Sequence, residues 1–285
     1  MTAWTNATTS SGTGPTTTNG GVLRPDDLAR SVQWERWTPG PDVDAWVENH
    51  WGVRWALPAG ETFTSSVLPH PTVHLTVERP VRPHLGTRVL TGVPTSRYDT
   101  DLSGDGWVIG AKFRPGAFTA LTGVPARTLR DTAVDADSLL PSEMTARLIA
   151  VTADSWDEAA VSSLENALSV LTETDPDDEY FFLLDVFGSM VADPGLLTVE
   201  QVASLNGVGM RHLQRLFAHY VGVTPKWVLS RFRMHDVVSA LDAGSTAGLA
   251  ELAAEFGWYD QAHFTRDFTR LVGVTPREYR RPVHR

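Results

Sequence analysis

The sequence predicts an α+β or barrel-like amino-terminal domain of sensor type, followed by an all-α carboxy-terminal domain in which two related helix pairs are joined by one long helix. The clearest observation is a repeat. Val202-Ala203, Gly207, Arg215-Leu-Phe217 and Gly222-Val-Thr-Pro225 return as Leu252-Ala253, Gly257, Arg266-Asp-Phe268 and Gly273-Val-Thr-Pro276, at an offset of 50 residues over the first helix and its glycine and 51 thereafter. Residues 22–141 have a different texture: Pro, Gly and Asp punctuate short segments, and Trp34, Trp37, Trp46, Trp51, Trp55 and Trp107 supply large packing surfaces. Between them, residues 142–193 hold two apolar stripes at helical spacing, as expected of a helical linker and interface.

Taken in order, residues 1–21 are rich in Thr, Gly, Ser and Asn and have little apolar surface to offset ordering, so they read as a disordered tail. Residues 62–68, 72–78 and 107–113 are predicted strands by β-branched content and partial alternation. Asp42 to Val53 is predicted helical, with Val43, Trp46 and Val47 on one face. From Ser155, one helix should bury Ala159, Leu164, Leu168 and Leu171. Asp175-Pro-Asp-Asp178 breaks it, and a second should bury Phe181, Phe182, Leu184, Val186, Phe187 and Met190.

Residues 194–285 are predicted to form the repeat domain. In the first copy Val199, Val202, Ala203 and Leu205 give a short stripe that Asn206-Gly207 stops, because glycine accepts the left-handed backbone that ends a helix. A second helix from about Met210 to Tyr220 buries Leu213, Leu216 and Phe217. In the second copy Leu249, Leu252, Ala253 and Phe256 precede Gly257, Asp260 caps the next helix, and Phe264 and Phe268 point inward. Pro225 suits a first helical turn and opens a connecting helix of about 16 residues, roughly 24 Å long.

Composition narrows the function classes. The chain of 285 residues has no cysteine, which excludes disulfides, thiol catalysis and cysteine metal sites. No apolar run approaches membrane-spanning length, so a soluble cytoplasmic protein without a membrane partner is expected. The net charge of −10 is uneven. Residues 191–285 carry 11 Lys or Arg against 9 Asp or Glu, and residues 1–190 carry 13 against 25. A polyanionic partner would therefore have to meet a local basic face in the repeat domain.

Paired helices of this kind have the shape that major-groove reading requires, one helix entering the groove while the preceding one braces it. Arginine grips guanine, and glutamine adenine, through two parallel hydrogen bonds. Gln214 and Arg215 in the first copy, and Gln261 and Arg266 in the second, are the candidate base readers. Arg211, His263 and Arg270 share their outward faces, and Ser230, Arg231 and Arg233 on the connecting helix are candidates for phosphate. For each, the competing reading is an ordinary solvated face.

Residues 196–281 resemble the two-module DNA-binding domain of the AraC/XylS family of bacterial transcription regulators. The resemblance rests on Met210-Arg-His-Leu-Gln-Arg-Leu-Phe217 with its Gly222-Val-Thr-Pro225 exit, and on Phe256-Gly-Trp-Tyr-Asp-Gln-Ala-His-Phe-Thr-Arg-Asp-Phe268 closing in Gly273-Val-Thr-Pro-Arg-Glu-Tyr279. It implies a sequence-specific regulator of double-stranded DNA whose outward positions fall on Arg211, Gln214 and Arg215, then on Gln261, Ala262, His263 and Arg266. It departs from the family at Gly209, where a serine or threonine cap is common. Residues 22–141 resemble the uncharacterised amino-terminal domain of some actinobacterial members, through Trp46 with His50-Trp51, Leu68-Pro-His-Pro-Thr-Val-His-Leu75 and Ile109-Gly-Ala-Lys-Phe-Arg-Pro-Gly-Ala117. That match implies a domain boundary more than a function and names no ligand; the sensor reading of residues 22–141 rests on their coarse α+β texture.

Within that region Lys112 and Arg114, beside the Pro115-Gly116 turn, are the candidate contacts for an acidic effector, with pairing to a nearby carboxylate as the alternative. His50, His70, His74 and His84 lack a carboxylate in ligand-like spacing, so no metal or other cofactor is expected. No base, nucleophile and orienting group form a set, so no catalytic residue is assigned. The partners implied are double-stranded DNA, a small-molecule effector, a second copy of the chain and, for an activator, RNA polymerase.

Overall fold

A computed structural model describes residues 21–151, 158–172 and 176–280. The expected tail lies outside them except for Gly21, as do Ser155 and Asp175 of the expected linker. The amino-terminal half contains α1 (Pro25–Ser31), β1 (Gln33–Trp37), β2 (Val47–Ala56), β3 (Thr62–Val67), β4 (His74–Arg82), β5 (Gly86–Thr91), β6 (Tyr98–Ser103), β7 (Asp105–Phe113), α2 (Ala117–Thr122) and β8 (Ala133–Asp135). α3 (Ser142–Arg147), α4 (Glu158–Leu168) and α5 (Asp178–Ala192) come next, and the repeat region holds α6 (Val199–Leu205), α7 (Met210–Tyr220), α8 (Pro225–Asp242), α9 (Leu249–Glu255), α10 (Gln261–Val272) and α11 (Pro276–Tyr279).

Six strands form one antiparallel sheet in the order β1-β2-β7-β4-β5-β8, and β3 and β6 pair as a separate ribbon. Among the described residues β1 and β8 are its edges, so the sheet is open and the barrel-like alternative falls away. Alternation along β7 gives the sheet two faces. Ile109, Ala111 and Phe113, level with Val77 and Leu75 of β4, face the helices. Val108, with Val53 and Trp34 of the neighbouring strands, packs with Trp55 against Leu28 of α1, Phe63 of β3 and Leu102 of β6.

The expected strands at 62–68, 72–78 and 107–113 correspond to β3, β4 and β7. The expected helix from Asp42 to Val53 is corrected: the chain makes one turn, with Val47 N–H donating to the Val43 carbonyl at 2.8 Å, and then extends as β2. That single turn is enough to bury Val43, Trp46 and Val47 together, which is the pattern a helix would have shown. Beyond it, pairing with both β1 and β7 fixes the extended form.

In the linker, α4 buries Ala160, Val161, Leu164, Ala167 and Leu168, so its stripe is shifted from the expected Ala159, which is exposed. α5 buries Tyr180, Leu183, Leu184, Val186, Phe187 and Met190, whereas Phe181 is 41% exposed. Asp177 caps α5 by accepting from the Tyr180 N–H at 2.6 Å and also accepts from the Tyr220 hydroxyl at 3.1 Å.

One apolar core runs from the sheet through α4 and α5 into the first repeat and the first half of α8, linking Phe113, Leu164, Phe187, Phe217 and Phe232. A second, smaller core joins Met234, Val237, Val238 and Leu241 of α8 to Leu252, Trp258, Phe264, Phe268 and Leu271, with Leu23 and Leu68 added from the amino-terminal half. Each large side chain buried in this way contributes about 1.5–3 kcal/mol.

Candidate nucleic-acid interface

Each repeat copy is a short helix, a turn and a longer helix, and local chemistry fixes each boundary. α6 starts in a reciprocal cap: Thr198 Oγ1 accepts from Gln201 N–H at 3.2 Å and Gln201 Oε1 accepts from Thr198 N–H at 2.9 Å. α9 uses half of this device, Glu251 Oε2 accepting from Gly248 N–H at 2.7 Å. The two turns pass through Gly207 at φ 67° and Gly257 at φ 76°, a conformation that a side chain would disfavour. Gly222 leaves the first copy against the backbone of Ala126 and Arg127, where a Cβ would collide.

α7 begins at Gly209 without a side-chain cap, as the sequence suggested. Its buried face is Leu213, Leu216, Phe217 and Tyr220, and Phe217 stacks on Phe187 of α5 with centroids 5.1 Å apart. That anchoring leaves Arg211, Gln214 and Arg215 exposed. Arg215 Nη2 lies 2.9 Å from His212 Nδ1, so one of the candidate readers is already held from within its own helix.

α10 is capped by Asp260, whose Oδ1 accepts from His263 N–H at 2.6 Å. Phe264, Phe268, Leu271 and Val272 are buried, and Trp258 meets Phe264 edge-on at 5.3 Å. Gln261, Ala262, His263, Arg266 and Arg270 are exposed, and Tyr259 in the preceding turn is 94% exposed. Asp267 ties this face together: Oδ2 accepts from Trp258 Nε1 at 3.1 Å and lies 3.2 Å from His263 Nε2, while Oδ1 accepts from Arg270 Nη2 at 2.8 Å.

The connecting helix α8 is capped by Thr224, whose Oγ1 accepts from Trp227 N–H at 3.2 Å, and spans 18 residues rather than the expected 16 or so. Two of its candidate phosphate contacts serve other ends. Arg231 is only 7% exposed; Nη2 donates to the Thr95 carbonyl at 2.7 Å and its guanidinium lies 4.7 Å from the Trp227 ring centre. Burial, with Arg270 nearby, lowers its pKa to about 10. Arg233 donates from Nη1 to the Gly257 carbonyl at 3.0 Å and lies over Trp258, bracing the second turn. Ser230 is half-buried.

Both copies are docked on the amino-terminal half. Thr119 Oγ1 donates to the Tyr220 carbonyl at 3.1 Å, and His235 Nε2 lies 3.1 Å from the Pro69 carbonyl with its ring 4.3 Å from that of His70. Arg97 donates to the Val272 carbonyl, and Arg24 N–H to the Tyr279 hydroxyl at 3.1 Å.

The two candidate effector residues are turned into the fold. Arg114, 4% exposed, donates from Nε to the Asp44 carbonyl at 2.7 Å instead of presenting its guanidinium at the turn. Lys112 Nζ lies 2.8 Å from Glu48 Oε1, both side chains nearly enclosed, and burial lowers the lysine pKa against the opposing pull of Glu48. Beside them His74 accepts at Nδ1 from Trp51 Nε1 at 3.1 Å, and burial with Lys112 and Arg36 nearby pushes it down to about 3, leaving it neutral. His50 Nε2 lies 2.9 Å from Glu165 Oε1 of α4, a bond that lowers the Glu165 pKa and holds the helix on the sheet. Among the described residues no three His, Asp or Glu side chains converge in a metal-binding arrangement.

Two groups escaped the sequence reading. Asp267 was legible in principle, since it stands four residues after His263 and three before Arg270, spacings at which helical side chains meet. Thr95 and Arg97 were not, because their partners in the repeat region lie more than a hundred residues away.

Residues 35–135 match a domain of unknown function, and residues 202–282 match a helix-turn-helix domain. Among curated proteins, the lactose operon transcription activator of Staphylococcus xylosus is 31% identical over 84 residues, 30% of this chain and 30% of its own. The RCS-specific HTH-type transcriptional activator RclR of Escherichia coli K12 is 30% identical over 99 residues, 34% of each chain. The chain thus spans about a third of the length of these relatives. Among solved structures, the carboxy-terminal domain of AraT, a response regulator from Geobacillus stearothermophilus, is 23% identical with a TM-score of 0.33, covering 36% of this chain and 88% of that one. ToxT from Vibrio cholerae is 13% identical with a TM-score of 0.38, covering 88% and 98%. Residues 202–282 are an AraC-type helix-turn-helix domain, preceded in this chain by a domain of unknown function at residues 35–135.

Proposed function

We propose that the protein is a sequence-specific regulator of transcription that reads double-stranded DNA through the major groove with α7 and α10. The observation that carries this reading is the pair of anchored helices with exposed polar faces, Arg211, Gln214 and Arg215 on one and Gln261, His263, Arg266 and Arg270 on the other, joined by α8. At 18 residues α8 is about 27 Å long, which suits a spacer between readers of successive major grooves. Arg231 joins the phosphate contacts when its bond to Thr95 is released. A role for the chain in catalysis forms no part of this reading.

In the same proposal residues 22–141 sense an effector, 142–193 form the interface and 194–285 bind DNA, a division of roles rather than of cores. An acidic effector acts at Lys112 and Arg114 by entering the enclosed ionic group and competing with Glu48. It shifts the protein only if it binds one arrangement of sensor and reader better than another. A second copy of the chain enlarges the DNA footprint, and an activator would also meet RNA polymerase. Its proposed site of action is the cytoplasm; among the described residues no helix is long and apolar enough to cross a membrane.

The test is selection of duplexes from a random library by the full chain at near-physiological salt. Enrichment of a bipartite site with centres about 10 base pairs apart supports the reading. Failure of the full chain to enrich any site would overturn it.

A further inference from the structure

The second recognition helix carries an acid on the flank of the face proposed to meet a polyanion. Asp267 is 18% exposed at its side chain, against 48% for His263 and 70% for Arg270, and it contacts both. Its Oδ2 also holds the indole N–H of Trp258, which anchors the turn ahead of the helix. From α8, Arg231 and Arg233 stand close enough to be influenced by its charge. A carboxylate here repels phosphate unless a cation neutralises it, and the Arg270 guanidinium it holds is drawn away from DNA.

We propose that Asp267 is a positioning residue for DNA recognition, holding His263 and Arg270 against the flank of α10 so that Gln261 and Arg266 read the bases of the second half-site. This rests on the DNA-binding reading above and assigns a division of labour within it. Gln261 and Arg266 are exposed, whereas Asp267 pairs with Arg270 at 2.8 Å and lies 3.2 Å from His263 Nε2. Held side chains have fewer conformations in which to grip an arbitrary stretch of backbone, so the arrangement favours selectivity over raw affinity.

The experiment compares wild type and Asp267→Asn, both full length, on the duplex enriched by wild type and on a scrambled duplex, across a salt series. Asparagine keeps the shape and an oxygen for Trp258 but removes the charge. Binding to the scrambled duplex should tighten more than binding to the selected one, narrowing the ratio about tenfold, and the salt dependence should steepen by about one to two released ions. An unchanged ratio and slope in a folded variant would overturn the inference, since a purely structural aspartate would leave both untouched. Should Asp267→Asn fail to fold, the exposed partners carry the same question. His263→Gln and Arg270→Gln together should weaken binding to every duplex by more than the product of the single effects, because the carboxylate then keeps the Trp258 N–H but loses both its partners on the exposed face; simple multiplicativity would overturn it. A wild type without selectivity for any duplex removes the DNA reading and this inference with it, whereas a selective wild type unaffected at Asp267 removes this inference alone.

Discussion

The two helix-turn-helix copies share one sequence plan but stand in different cores. Phe217 of the first copy stacks on Phe187 and belongs to the apolar body that reaches the sheet; Phe268 of the second packs with Phe264 and Tyr279 in the smaller core. α8 serves both, its first half (Val228, Leu229, Phe232) in the larger core and its second (Met234, Val237, Val238, Leu241) in the smaller. Duplicated sequence therefore does not mean duplicated stability. The first module shares the apolar core of the amino-terminal body, and the second is tied to it by α8, two leucines and a few polar contacts.

The largest effects should separate the cores. Phe217→Ala and Phe268→Ala each open a buried cavity that costs about 3–5 kcal/mol. Hydrogen exchange should show Phe217→Ala loosening sheet amides together with α7, while Phe268→Ala loosens α9 to α11 and spares the sheet. Sheet amides exposed equally by both would make the cores one cooperative unit.

Next come the candidate readers. Arg215→Ala and Arg266→Ala should each weaken binding to the selected duplex, by about 1–3 kcal/mol where the arginine reads a guanine, with relaxed selectivity at one base pair. An equal loss on every sequence would assign that arginine to phosphate. The pair also differs in restraint, because His212 holds Arg215 and the residue at the equivalent position before Arg266 is His263, which turns to Asp267 instead.

α8 offers a test by pH. Burial raises the Asp236 carboxyl to about 6, so the folded state favours its neutral form. The unfolded chain ionises near 3.9, so the penalty is absent below about pH 4 and grows until pH passes about 6. Asp236→Asn should match wild type in denaturant melts at pH 4 and exceed it by about 1–2 kcal/mol at pH 7.5, partial exposure having reduced the full value. No gain at pH 7.5 would mean that water already solvates this carboxylate.

The smallest effect concerns the caps. Gly209 is extended, and no atom lies within 4 Å of the position where a Cβ would stand, so Gly209→Ser should give α7 the side-chain cap that α10 has in Asp260. The gain is a few tenths of a kcal/mol, and Asp260→Gly should lose about as much. Thermal melts of the two variants would measure the asymmetry directly.

Much of the carboxy-terminal region was legible because its signals are local. The stops at Gly207 and Gly257, the cap at Asp260, the anchors Phe217 and Phe268 and the opening of α8 at Pro225 all depend on residues within a few positions of the feature they fix. Residues 42–53 were misread for the same reason: one helical turn buries Val43, Trp46 and Val47 as a helix would, and only pairing with β1 and β7 makes the rest of the segment a strand.

The sequence by itself determined the repeat, the boundaries and hydrophobic faces of its helices, and so which side chains remain outward on α7 and α10. Tertiary structure alone decided that Arg231 turns to Thr95, that Lys112 and Arg114 turn inward to Glu48 and Asp44, and that the two copies enter separate cores. The physical reason is range. Helix periodicity, caps and turns are satisfied by neighbours in the chain, whereas the partner of a buried charge is whichever acceptor folding brings within about 3 Å, and residue spacing carries no record of that choice.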